Sequence, residues 1–218
     1  MKPVAVLVVA KAPVPGLAKT RLAASIGAEA AADIAAAALL DTLDAAVAAA
    51  VEARVVALTG DLQQARRGHE ICDRLADFIV VPQRGENFAE RLANAHADAA
   101  AATGLPVLQI GMDTPQVSGA LLDECANALS GADAVLGMAR DGGWWILGVR
   151  HCRTAACLAD VEMSTSRTGV ETLAALRSTG ATVALATELA DFDTVDDVDD
   201  VRRVCPAGSR FVRATRGL

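Results

Sequence analysis

Val4 to Ala10 is an unbroken apolar run, the pattern of a strand covered on both faces. Residues 11–17 break it with Pro13, Pro15 and Gly16. A short helix at roughly 18–26 and a long one at roughly 28–52 are expected next. In the long one Leu39, Leu43 and Val47 step by four along one stripe, while Asp33, Asp41 and Asp44 fall on the other half. Arg54–Leu58 reads as a second strand, 62–75 as a helix, and Asp77–Val81 as a third strand. Helical spacing over 87–103 stops at Thr103-Gly104. Pro106–Ile110 is the next strand, and Ser118 can cap a helix running to about 130. Strands follow at Ala134–Met138, Trp144–Val149 and, after a helix over 168–179, Ala181–Ala186. Thr194 starts a last helix to about 204.

Strands alternating with helices imply βαβ units, a mainly parallel sheet and right-handed crossovers. Between 134–138 and 144–149 there is no room for a helix, so one short antiparallel element is expected. No internal repeat or linker divides the chain. The expected organisation is one domain over 1–205 and a basic tail over 206–218. The tail carries Arg210, Arg213 and Arg216 with no acid, as in a solvated arm; a phosphate-binding arm is the alternative.

Composition narrows the class. The net charge of -7 argues against a nucleic-acid partner, which calls for a basic face. Hydrophobic residues make up 53% of the chain, but no charge-free apolar run reaches roughly 18 residues, so no membrane span is expected. Five scattered Cys with no C-x-x-C suit reduced thiols and a cytoplasmic location. Aromatic residues are only 3%, with no Tyr, and Trp144 and Trp145 are adjacent.

Ligands of open α/β sheets bind beyond the carboxyl ends of strands. Four polar clusters fall there. The first, Lys11 to Leu22, follows the first strand and opens a helix. It concentrates three cations, Lys11, Lys19 and Arg21, and Gly16 permits close approach of a ligand. Lys11, Pro13, Gly16, Lys19, Thr20 and Arg21 are candidate phosphate-binding residues. Lys19-Thr20 lacks the preceding Gly of a Walker loop, and a Pro-rich connection with solvated cations is the other reading. The second cluster, Gly111-Met112-Asp113-Thr114-Pro115, offers a carboxylate at a strand end that suits Mg²⁺ or Mn²⁺, or else a helix-entry cap. The third is Asp141-Gly142-Gly143-Trp144-Trp145. Strict alternation would place Trp144 with Ile146 and Trp145 with Leu147, leaving one Trp for the core and one to stack on a ligand. An ordinary hairpin turn with core aromatics, the commoner outcome for Asp-Gly, is the other reading. The fourth is Asp191 to Asp200. Thr194 and Asp197 form a capping box, and Asp193, outside the helix, is the candidate second metal ligand.

His69, His96 and His151 lack metal-ligand spacing. Arg84 to Arg91 forms a polar loop and helix start, either solvated or near a base or sugar.

In this order the four clusters resemble the GT-A-like nucleotide-diphospho-sugar transferase superfamily, in particular a bacterial glycosyltransferase branch linked in part to arsenosugar biosynthesis. Lys11–Leu22 matches its K-A-P-x-P-G-x-x-K-T-R-L loop, Gly111–Pro115 its G-x-D-x-P, Asp141–Gly148 its D-G-G-Y-x-L-x-G, and Asp191–Asp197 its D-x-D-T-x-x-D. Phospholactate guanylyltransferases and molybdenum-cofactor nucleotidyltransferases look more distantly similar. Three departures flank the sugar or acceptor pocket. Trp144 replaces Tyr, Met163-Ser164-Thr165 stands where a Trp-Ser-Thr-like segment is expected, and Met138-Ala139-Arg140 lacks the Pro common before Asp-Gly-Gly.

The resemblance implies a Rossmann-like α/β fold, helices on both faces, and a metal-dependent glycosyltransferase using a nucleotide sugar and a small-molecule acceptor. Lys19, Arg21 and Asp141 would be its catalytic residues, Asp141, Gly142, Gly143 and Trp144 would bind substrate, and Asp113 and Asp193 would hold Mg²⁺ or Mn²⁺. A nucleotidyltransferase taking an NTP and releasing pyrophosphate is the first alternative, and a non-catalytic nucleotide-binding module the second.

Overall fold

The computed structural model describes residues 1–218. Seven strands form one sheet: β1 (Lys2–Lys11), β2 (Val51–Thr59), β3 (Ile79–Pro82), β4 (Val107–Gly111), β5 (Ala134–Ala139), β6 (Trp144–Val149) and β7 (Val183–Leu189). Their order is β3-β2-β1-β4-β6-β5-β7. β6 alone runs antiparallel, against β4 and β5; every other pairing is parallel. This is the expected α/β sheet with its antiparallel element.

The helices are α1 (Thr20–Ile26), α2 (Ala28–Ala48), α3 (Gly68–Leu75), α4 (Phe88–Thr103), α5 (Gly119–Gly131), α6 (Thr168–Ser178), α7 (Val195–Val204) and α8 (Arg210–Ala214). β1 alternates between two core layers. Val4, Val6 and Val8 pack with side chains of α2, α3 and α5. Leu7 and Val9 pack with α4, α6 and a 3₁₀ stretch at Cys152–Asp160. A third cluster joins α1, α2, α7 and α8 around Phe192 and Phe211.

Three local departures from the sequence pattern have physical causes. α2 stops at Ala48, because Arg54 of β2 donates to the carbonyls of Ala46, Val47 and Ala49 and terminates the helix. The helix expected over 62–75 is split into a 3₁₀ turn at Leu62–Gln64 and α3. Arg67 is left-handed at the break, and a Cβ on Gly68 would collide with the Leu62 carbonyl. The tail is not a free arm. Ser209 caps α8, Phe211 is fully buried, and Arg210 pairs with Asp41, Asp44 and Glu70.

The chain runs from β1 out to β3, then returns to place β4 on the other side of β1. The sheet therefore has its switch point between β1 and β4, where α/β folds open a crevice at the strand ends. Because β6 is antiparallel, its first residue, Trp144, reaches the same edge as the last residues of β1 and β4.

Candidate active site

Two adjoining cavities open at that edge, of about 420 and 270 Å³. They share Lys11, Met112, Asp113 and Asp193. The smaller holds the loop after β1, with Lys19, Thr20 and Arg21. The larger is bounded by Asp141, Gly143, Trp144, Met163 and Asp191 toward β5 and β6, and by Thr59, Gln83 and Gln109 toward the sheet centre.

Lys19 is the hub. Its Nζ lies 2.7 Å from Asp113 Oδ2 and 2.8 Å from Asp193 Oδ1, and donates to the Phe192 carbonyl at 2.6 Å. It also sits 4.2 Å from the Phe192 ring centroid, a cation–π distance. Burial alone would lower the Lys19 pKa; Asp113 and Asp193 outweigh that and raise it. For Asp113 the balance is reversed in sign: burial pushes its pKa up, and Lys19 pulls it below the usual carboxylate value. Lys19 takes a left-handed backbone (φ 46°) where the loop enters α1. Arg21 is mostly exposed and reaches Asp193 Oδ2 at 3.2 Å.

The rest of the loop divides in two. Pro13 is buried and its carbonyl accepts from Arg66 N–H. Gly16 turns the exposed loop with φ 79°, and Thr20 opens α1 in solvent. Lys11 is exposed and its ammonium donates to the Leu17 carbonyl at 2.9 Å, closing the loop on itself.

Asp191, Asp193 and Asp113 are held together by the backbone. Gln116 donates to the Ala190 carbonyl and ties the turn after β4 to the acidic turn before α7. Asp197 accepts from the N–H groups of Asp193 and Thr194, so the expected capping box is present and fixes Asp193 just outside the helix. Asp191 is the residue the sequence reading passed over. Burial, then the neighbouring Asp141 and Asp193, push its carboxyl up to about 6. Its position at the head of D-x-D-T-x-x-D was the available signal. Asp113 and Asp193 each place an oxygen on the Lys19 ammonium, and no group of three or more His, Cys, Asp or Glu side chains converges to hold a metal by itself. Two carboxylates are as many as a Mg²⁺ site commonly takes, the other ligands coming from water and substrate phosphate.

The Asp-Gly-Gly turn is clasped by the segment before α6. Gly142 has φ 92°, a Cβ on it would strike the Ser166 carbonyl, and its own carbonyl accepts from Gly169 N–H at 2.8 Å. Asp141 Oδ1 accepts from Gly143 N–H at 2.7 Å, and Asp141 lines the larger cavity. The strict alternation expected for the two Trp fails. Pairing shifts from Gly137↔Ile146 to Met138↔Trp144, a bulge that leaves Trp145 without a partner on β5. Trp145 then packs in the Ile146 cluster, 4% exposed, with Nε1 donating to the Thr187 carbonyl. Trp144 packs against the Leu147 cluster, half-buried, as a cavity wall. One Trp thus lies in the core and one on the cavity wall, on faces swapped from those that strict alternation predicts.

Gln109 was also missed. It is 1% exposed in the middle of β4, lines the larger cavity, and its Oε1 has no partner. A lone amide in the apolar strand Val107–Gly111 was its only sequence signal. Of the polar loop after β3, Arg91 reaches the cavity, whereas Arg84 pairs with Asp98.

A family model described as "Uncharacterized protein conserved in bacteria (DUF2064)" matches residues 42–165. No curated protein matches the chain. Among solved structures, a protein from Desulfovibrio desulfuricans G20 provisionally named a nucleotide-diphospho-sugar transferase superposes with a TM-score of 0.85 at 24% identity, over 99% of this chain and 95% of that one. Rv0371c from Mycobacterium tuberculosis H37Rv, solved in complex with manganese, matches with a TM-score of 0.54 at 19% identity, over 92% and 98%. CMP:2-keto-3-deoxy-manno-octonic acid synthetase complexed with CTP matches with a TM-score of 0.55 at 11% identity, over 92% and 97%. The fold is thus the GT-A-like one that the four sequence motifs resemble.

Proposed function

The chain belongs to the bacterial DUF2064 family, and from the geometry above and the resemblance of its four motifs we propose that it is a metal-dependent transferase acting on a nucleotide-diphospho-sugar. The observation that carries the reading is the convergence of Asp113, Asp193 and Lys19 at the β1/β4 switch point, between a cationic loop and a Trp-walled cavity. A bound Mg²⁺ or Mn²⁺ would neutralise the charge that develops on the leaving nucleoside diphosphate. Asp113 and Asp193 would hold that cation. Lys11, Lys19 and Arg21 meet phosphate oxygens from the loop side, with Pro13, Gly16 and Thr20 shaping their backbone. Across the cavity Asp141 binds a sugar or acceptor hydroxyl, Gly142 and Gly143 let the backbone approach it, and Trp144 stacks on its apolar face. Asp191 lines the same cavity beside Asp141 and Asp193.

A nucleotidyltransferase is the second reading. It is favoured by the fold shared with the CTP-bound synthetase. The same loop and carboxylates would then act at the α-phosphate of an NTP, and pyrophosphate would leave.

A thermal-shift panel of nucleoside diphosphates, nucleotide sugars and NTPs with and without Mn²⁺ tests the reading. The expected result is stabilisation by a nucleoside diphosphate only when Mn²⁺ is present, and its loss in Asp113→Ala. If no nucleotide stabilises the wild type, the reading fails. Release of nucleoside diphosphate rather than pyrophosphate separates the first reading from the second.

A further inference from the structure

An ammonium has three N–H donors and no acceptor. Lys19 Nζ donates to Asp193 Oδ1 and the Phe192 carbonyl and pairs with Asp113 Oδ2 at 2.7 Å. The Lys19 side chain is only 10% exposed. In this arrangement the ammonium is held on three protein oxygens rather than offered to a phosphate. It also occupies the point on which the two proposed metal-binding carboxylates converge. A divalent cation cannot share those two oxygens with the ammonium without placing like charges within a few ångström in a partly dry site.

We propose that Lys19 and the divalent metal compete for the Asp113–Asp193 pair, so that the metal enters together with the nucleotide, whose phosphates draw the Lys19 ammonium off the carboxylates. The inference rests on the transferase reading above. Without substrate the two carboxylates are held by cations of the chain itself, Lys19 on both and Arg21 on Asp193. The exchange is favourable only when both incoming charges arrive, a dication for the carboxylates and an anion for the lysine. Metal and nucleotide therefore bind with positive coupling, and by linkage each raises the affinity of the other by the same factor. The short helix α1 and the Pro- and Gly-containing loop before it carry Lys19, so the swing needs no rearrangement of the sheet.

The test is Mn²⁺ binding followed by electron paramagnetic resonance, on wild type and Lys19→Met, first with Mn²⁺ alone and then with CDP, UDP or GDP added. Lys19→Met should bind Mn²⁺ alone at least about tenfold more tightly than wild type, because a like charge has been removed from the site. Nucleoside diphosphate should tighten Mn²⁺ binding strongly in wild type and much less in the variant. Equal or weaker Mn²⁺ binding by Lys19→Met overturns the proposal, as does a wild type that binds Mn²⁺ as tightly alone as with nucleotide. If circular dichroism shows Lys19→Met to be unfolded, Lys19→Gln is scored by the same criteria. Failure of the transferase reading is distinguishable: there neither protein responds to any nucleotide, whereas the competition is scored on the arm with Mn²⁺ alone.

Discussion

His96 lies in α4 with neither ring nitrogen hydrogen-bonded, and burial pushes its pKa down to about 3. In the unfolded chain it titrates near about 6.5. Between those values the unfolded state binds a proton that the folded state does not, so stability rises with pH there. The contribution is complete above the unfolded pKa and is lost as pH falls toward 3. Urea midpoints measured from pH 7 down to pH 4 should show wild type losing about 1.4 kcal/mol per pH unit more than His96→Leu. Parallel pH curves for the two proteins would refute this. Asp191 has the opposite sign. Its raised carboxyl favours the fold at low pH and withdraws that stability as pH rises toward 6. Neither shift is visible in a sequence. His96 is one polar residue on a helix whose spacing shows that it is amphipathic, not which side chains end up dry. The places of Asp113 at a strand end and of Asp193 just outside a capped helix were legible, because those positions have a local logic. Their common partner Lys19 was not, since the ion pairs join residues more than ninety positions apart, a separation that no local pattern spans.

Helix α8 shows what an element gains from its neighbours. It is too short for helix propensity to sustain it alone. Asp41 of α2 accepts from the N–H groups of Arg210 and Phe211, and the Phe211 ring packs 4.7 Å from Phe192 at 51°. Arg202 of α7 donates to the Thr215 carbonyl from the other side. The sequence pattern placed Asp41 on the half of the helix opposite the Leu stripe, and the tail is what covers it. Phe211→Ala should cost about 3–5 kcal/mol, the usual range for a buried ring, measured by chemical denaturation. Because Phe192 contributes both a carbonyl and a ring to Lys19, the same variant should weaken nucleotide-dependent stabilisation at a temperature where it remains folded. Undiminished stabilisation would show that α8 supports the fold without reaching the site. The bulge in β6 is a comparable case. Its two Trp were readable as one core and one cavity residue, but the faces depend on a register shift that only the pairing with β5 creates.

At the scale of the molecule, alternating strand and helix patterns made the α/β class and its antiparallel element legible. Strand order was not, because the apolar runs of β1, β4 and β5 are interchangeable to the eye. The order matters for chemistry, since it is the return from β3 to β4 that opens the crevice, and the reversal of β6 that delivers Trp144 to it. The chain has no Tyr and only these two Trp, Trp144 on the wall of the larger cavity and Trp145 packed behind it, 4% exposed. Light absorbed near about 295 nm, the red edge where indole alone absorbs among these side chains, is therefore emitted by these two rings alone. Nucleotide-sugar binding should shift or quench that emission in wild type and do so far less in Trp144→Phe. A signal of the same size in the variant would assign it to Trp145 and remove Trp144 from the ligand wall. A chain this poor in aromatic rings is an awkward one to quantify by absorbance, yet it arrives with a fluorescent reporter already built into the place where a label would be wanted.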